Sequence, residues 1–148
     1  MLKPLRPLFA WALLGYAAIE IFFAFARWAE PSGGSISARA HSTDFTTLVS
    51  IGFPLLAVLI ATQIQPVLGI ARLVSLIALG ELAAVLLLGS MAFLIGLPHA
   101  VLNTDRFSSM LAYLAFSVAG LAFAALAGVA CLRVLGTRGF TLPGEGSA

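Results

Sequence analysis

Charged side chains are what this sequence has least of. Its 148 residues hold 8 Lys or Arg and 6 Asp or Glu, 9% of the chain, against 61% hydrophobic residues. A water-soluble domain carries roughly 25% charged and about 45–50% apolar residues. With a mean hydropathy of +1.07, too little polar surface exists to solvate a fold of this size in water. The expected solvent for most of the chain is lipid. Cysteine is nearly absent too. Cys131 stands alone, so no disulfide can close within this sequence. With only His41 and His99 besides, no zinc-type ligand spacing exists, and neither a metal nor another cofactor is expected. Gly-x-Ser-x-Gly, His-Glu-x-x-His, the phosphate-binding loop and the dinucleotide fingerprint are all missing, so the chain is not expected to be an enzyme. The net charge of +2 comes from cations at segment ends rather than from a patch, which argues against nucleic-acid binding.

What is there is long apolar runs. About 20 apolar residues rising about 1.5 Å each cross the hydrocarbon core. The charges divide the chain into four such runs, expected as spans over 8–26, 45–64, 73–97 and 107–132, with tails at 1–7 and 133–148. Glu20 alone interrupts the first and Glu81 alone the third. Trp28 to Asp44 contains Glu30-Pro31-Ser32-Gly33-Gly34-Ser35 and reads as a loop, as does Pro98 to Arg106. The short Gln63 to Arg72 connection, with Pro66 and Gly69, predicts a close hairpin of the second and third spans. No period-2 alternation suggests strands. The fold class expected is all-α: one membrane domain, a four-transmembrane-helix bundle running up-down-up-down. Asp44, and Asp105 or Ser108, have the residue type favoured as N-caps of the second and fourth spans.

Lys3, Arg6, Arg72, Arg133 and Arg138 fall on one side of such a bundle, and Arg27, Arg39 and Arg106 on the other. The excess of cations predicts both termini on the cytoplasmic side of a cell membrane. A cleaved signal peptide is the competing reading of the first forty residues, since Ala38-Arg39-Ala40 has the small-x-small form. The 19-residue apolar run of 8–26 exceeds the usual stretch of about 7–15 and ends well before that tripeptide, so the first span is expected to be retained.

Within the spans, Gly120, Ala124 and Gly128 recur every fourth residue and form a small-residue face for helix packing. Pro54 removes a backbone donor, frees the Ser50 carbonyl and predicts a kink. Glu20 and Glu81 are the candidate proton or ligand sites, because an acid at mid-helix costs about 2.5–3.5 kcal/mol to insert. Counted along their helices, the two carboxyls differ in depth by about 6 Å and could share one cavity. Tyr16, four residues before Glu20, is placed to donate to it. His41 and His99 fall in outer loops and read as solvated.

A four-span chain with a glutamate in its first helix resembles the small multidrug-resistance exporters. That resemblance implies that Glu20 would bind both a proton and a cationic drug. It covers one residue and a helix count, and the 17-residue first loop and the second glutamate depart from that pattern. The function expected from the residues themselves is a non-enzymatic, structural or partner-binding membrane protein. The alternative is a small proton-coupled carrier using Glu20 and Glu81. The partners expected are the lipid bilayer and either a second copy or another membrane protein.

The orientation is open to a direct test. In a Cys131→Ala background, an impermeant thiol reagent on whole cells should label Ser35→Cys and spare Ser147→Cys. Labelling at 147 alone contradicts the assignment.

Overall fold

The computed structural model describes residues 5–63, 69–102 and 106–137. Lys3, the turn at Pro66, Asp105 and the tail from Arg138 lie outside the described residues. Every regular element among those described is helical: α1 (Leu5–Ala29), α2 (Ile36–Ser42), α3 (Leu48–Thr62), α4 (Ala71–Leu102) and α5 (Phe107–Thr137), with a 3-10 turn over Pro31–Gly33. Three of these, α1, α4 and α5, are long and apolar enough to cross a membrane, with mean hydropathies of 1.9, 2.2 and 2.2 over their most apolar stretches. The fourth apolar helix, α3, is shorter, at 15 residues.

The side chains are sorted by size in a way water would not tolerate. More than half of the buried apolar residues are alanine, among them Ala10, Ala17, Ala24, Ala57, Ala61, Ala78 and Ala124. The large residues face out: Leu8, Phe22, Leu87, Leu94, Phe116 and Leu126 are each at least 65% exposed. Lipid is as apolar as Leu, so large side chains gain nothing by moving inward, and small ones let backbones approach. Alternation of small-inside and large-outside thus sets the helix faces. α3 lies between α1 and α4, α5 packs chiefly on α4, and α2 lies across α4. Among the described residues, α1 and α5 do not touch. At the end of α3 the Arg6 guanidinium donates to the Ile60 carbonyl at 2.9 Å, a cation satisfying a helix C-terminus.

The structure departs from the sequence expectation around the second apolar run. The helix begins at Leu48, not near 45, and its N-cap is Thr47, whose hydroxyl accepts from the Ser50 N–H at 3.1 Å. Asp44 is not the cap. Its carboxylate turns onto Thr46, accepting the backbone N–H at 2.8 Å and the hydroxyl at 2.9 Å. The segment read as loop contains α2, capped by Ser35, whose hydroxyl accepts from the Ala38 N–H. Pro98 does not end a helix either, since α4 continues through it to Leu102. Ser108 lies inside the first turn of α5.

Three glycines explain where the 43–47 linker goes. A methyl group added at Gly96 on α4 would stand 2.6 Å from the Tyr113 hydroxyl and 2.9 Å from the His41 backbone nitrogen. One at Gly89 would stand 3.3 Å from the Thr46 methyl, and one at Gly120 on α5 would collide with the Thr46 side chain. Missing side chains on α4 and α5 therefore open a notch that receives α2 and the linker. The Ser50 hydroxyl donates to the Phe45 carbonyl at 2.7 Å, so this buried turn keeps a polar partner.

Overpacking such a notch costs about 1–3 kcal/mol. Gly96→Ala and Gly120→Ala should lower the thermal midpoint in detergent, whereas Gly15→Ala on α1, where an added methyl meets nothing within 4 Å, should be neutral or stabilising by up to about 1 kcal/mol. Equal effects at all three positions would mean that the notch is not tightly filled.

Candidate functional site

Among the described residues, polar side chains stand beside open space at two prominent places. The first is a groove of about 500 Å³ between α1 and α4, walled by Ile21, Phe22 and Phe25 on one helix and by Ile77, Glu81, Ala84 and Leu88 on the other. Residues 77, 81, 84 and 88 share one helical face beside the buried stripe of Val74, Ala78, Leu82 and Val85. Glu81 is thereby placed at the edge of the core rather than within it. Its Oε2 is buried and has no hydrogen-bond partner. Native folds leave few such atoms, which is why this one marks a candidate site.

Ser50, Ser117 and Glu20 carry polar groups on other helices, and among the described residues none of them bonds to Glu81. Ser50 is spent on the Phe45 and Thr47 carbonyls. Ser117 lines the second cavity, described below. Glu20 does not line the groove. The reason is azimuthal. The buried stripe of α1 runs through Ala10, Leu14, Ala17, Ile21 and Ala24, with Ala18, Phe22 and Phe25 on the flank toward α4. Glu20 and Tyr16 lie on the other flank, where the Tyr16 ring meets Phe53 of α3 at 5.6 Å. Among the described residues no hydrogen bond joins Tyr16 to Glu20. Of the proposed packing residues, Ala124 and Gly128 are buried, Gly120 abuts Thr46, and Pro54 is buried within α3.

The second place is a cavity of about 210 Å³ where the 43–46 linker meets α4 and α5. Its polar wall comes from His41, Thr43, Asp44, Thr46, Tyr113 and Ser117, and its aromatic wall from Phe93, Tyr113 and Phe116. The histidines expected to be solvated are instead partly buried against each other, with His41 on the cavity wall. The His41 ring lies 4.3 Å from Tyr113 and 5.3 Å from His99, centroid to centroid. His41 Nδ1 is buried without a hydrogen-bond partner. The Ser37 hydroxyl accepts from the His99 N–H at 3.2 Å and ties α2 to α4. Among the described residues no three His, Cys, Asp or Glu side chains converge as a metal site would require. The recurrence of glycine at 89 and 96, two turns apart on α4, was the sequence signal for this junction. The approach of Thr46 carried none.

No protein-family model matches the chain, and no curated protein or solved structure matches it. Its function is therefore read from its own geometry.

Burial, with a smaller contribution from His99, pushes the His41 imidazole below the ordinary histidine value of about 6.5. Below about pH 6.5 the unfolded chain then binds more protons at this residue than the folded one. The docking of α2 is strongest above that pH and weakens as pH falls through it toward the lower folded value. Melting in detergent should shift downward between pH 7.5 and 5.5, and His41→Gln should abolish much of that difference. An unchanged pH dependence in His41→Gln would contradict the assignment.

Proposed function

We propose that this chain is a non-enzymatic multi-pass protein of the cell membrane, and that its role is to hold another membrane segment in the groove beside Glu81. In this reading α1, α4 and α5 span the bilayer, while α3 and the linker above it make the fourth crossing, with both termini cytoplasmic. The observation that carries the reading is the Glu81 carboxyl, set in an apolar groove with one oxygen lacking a partner. A carboxyl at membrane depth is costly unless something satisfies it. None of the side chains around the groove does so, and the groove is open along its length. A second copy is the economical occupant. In its acid form a carboxyl both donates and accepts, so the same residue on a twofold-related copy satisfies it, and the interface is self-complementary. The small Gly80 and Ala84 beside Glu81 permit the close approach that such an interface needs.

The position of Glu20 on the far flank of α1 supports this reading over a carrier in which the two glutamates exchange one proton. The test places a photo-crosslinking residue at Ala84 in native membranes. A dimer adduct is expected in the wild-type background, retained in Glu81→Gln and reduced at least about fivefold in Glu81→Leu, which leaves no hydrogen bond to share. Adducts with lipid alone would contradict the proposal. Proton flux in liposomes that vanishes in both Glu20→Gln and Glu81→Gln would replace it with the carrier.

A further inference from the structure

The cavity beside the 43–46 linker is independent of the Glu81 groove and has its own chemistry. Its wall holds one carboxylate, Asp44, and among the described residues no Lys or Arg lines it. Arg39 of α2 donates to the Glu30 carbonyl. An anion would find no cationic side chain there, and the Asp44 carboxylate would oppose it. Asp44 uses a single oxygen, Oδ1, for both of its bonds to Thr46, and among the described residues Oδ2 makes no hydrogen bond. The turn holds the carboxylate in place while half of it remains available. The aromatic side chains of Phe45, Phe93, Tyr113 and Phe116 line the same space. Aromatic faces carry negative potential and attract cations, more strongly where water is thinned out.

A quaternary ammonium has no N–H to offer Asp44 Oδ2, whereas a primary or secondary ammonium does. The volume, about 210 Å³, falls below the roughly 300–1,000 Å³ of pockets for drug-sized molecules, so the ligand is small. Phe116 is 78% exposed at the rim and Leu121 closes the inner wall, which suits an apolar substituent on the nitrogen.

We infer that this cavity is a binding site for a small protonated amine, with Asp44 Oδ2 taking its N–H groups and Phe93, Tyr113 and Phe116 covering its cationic and apolar parts. The ammonium is the shared chemistry of two sources, a free amine and the headgroup of an ethanolamine lipid.

The test uses the full chain in nanodiscs of phosphatidylcholine, with benzylammonium as the probe and calorimetry as the readout. Saturable binding is expected, at least about tenfold weaker for benzyltrimethylammonium and for benzyl alcohol. Asp44→Asn keeps an oxygen for Thr46 and so preserves the turn, yet should weaken binding at least tenfold, about 1.4 kcal/mol. Phe116→Leu keeps the apolar rim without the ring and should weaken it several-fold. Glu81→Gln should leave it unchanged, so the outcome does not depend on the Glu81 groove. Competition on adding phosphatidylethanolamine to the discs assigns the site to a lipid headgroup, unaltered binding assigns it to a free amine, and both uphold an ammonium site. Equal binding of benzylammonium and benzyl alcohol, undiminished binding in Asp44→Asn, or no saturable binding of benzylammonium would overturn it.

Discussion

The contact on which the rest depends is the seating of Thr46 between Gly89 of α4 and Gly120 of α5. A methyl group on Gly120 would overlap the Thr46 side chain, and one on Gly89 would press on its methyl at 3.3 Å and on Leu121 at 3.1 Å. Because the notch exists, the chain between α2 and α3 can leave helical geometry and still be enclosed by protein. Irregular backbone at membrane depth is tolerated only in that situation or beside a water-filled cavity, since lipid satisfies no backbone group. The Asp44 carboxylate, the Thr47 cap and the Ser50 hydroxyl then supply the hydrogen bonds that a continuous helix would have made internally. Both candidate sites follow from this. The break shortens α3 and carries the His41 and Asp44 side chains onto α4 and α5. The tight α4–α5 pairing leaves the opposite side of α4, with Glu81, facing α1 across a gap.

The division of labour between large and small residues is the second consequence of an apolar solvent. Alanine and glycine form the contacts, while Phe and Leu form the exterior. Binding energy between helices then comes from close packing and from a few polar contacts, not from burying large side chains. An unsatisfied carboxyl at the edge of such an assembly carries more weight than it would in a soluble protein, because water cannot complete its hydrogen bonds.

How much of this was legible beforehand differs from element to element. The long helices α1, α4 and α5 follow directly from apolar runs that hold at most one acid each, which a length rule reads well. The break before α3 does not, because Phe45-Thr46-Thr47-Leu48 is uncharged and continues the apolar run. What decides it is a hydroxyl cap and a distant pair of glycines. α2 is seven residues long, too short to hold as an isolated helix, and its packing across α4 at Gly96 supports it. Pro98 stays within α4 although it offers no N–H to the Leu94 carbonyl, and the next N–H, that of His99, finds the Ser37 hydroxyl of α2. Glu20 and Glu81 were matched by depth along their helices, and depth is indeed readable from a sequence. Azimuth depends on which flank meets which neighbour, and that placed them apart. His41 and His99 were recognised as lying at the same end of the chain's spans, but their ring contact arises only once α2 is seated.

The seating of the linker is also the claim most directly measurable. In nanodiscs with the threonine methyls and glycine α-positions labelled, nuclear Overhauser spectra should connect the Thr46 methyl to the α-protons of both Gly89 and Gly120. Contacts typical of a continuous helix should be missing through residues 43–47. A continuous helical pattern from Ser42 into α3, with no cross-peak from Thr46 to either glycine, would contradict the account.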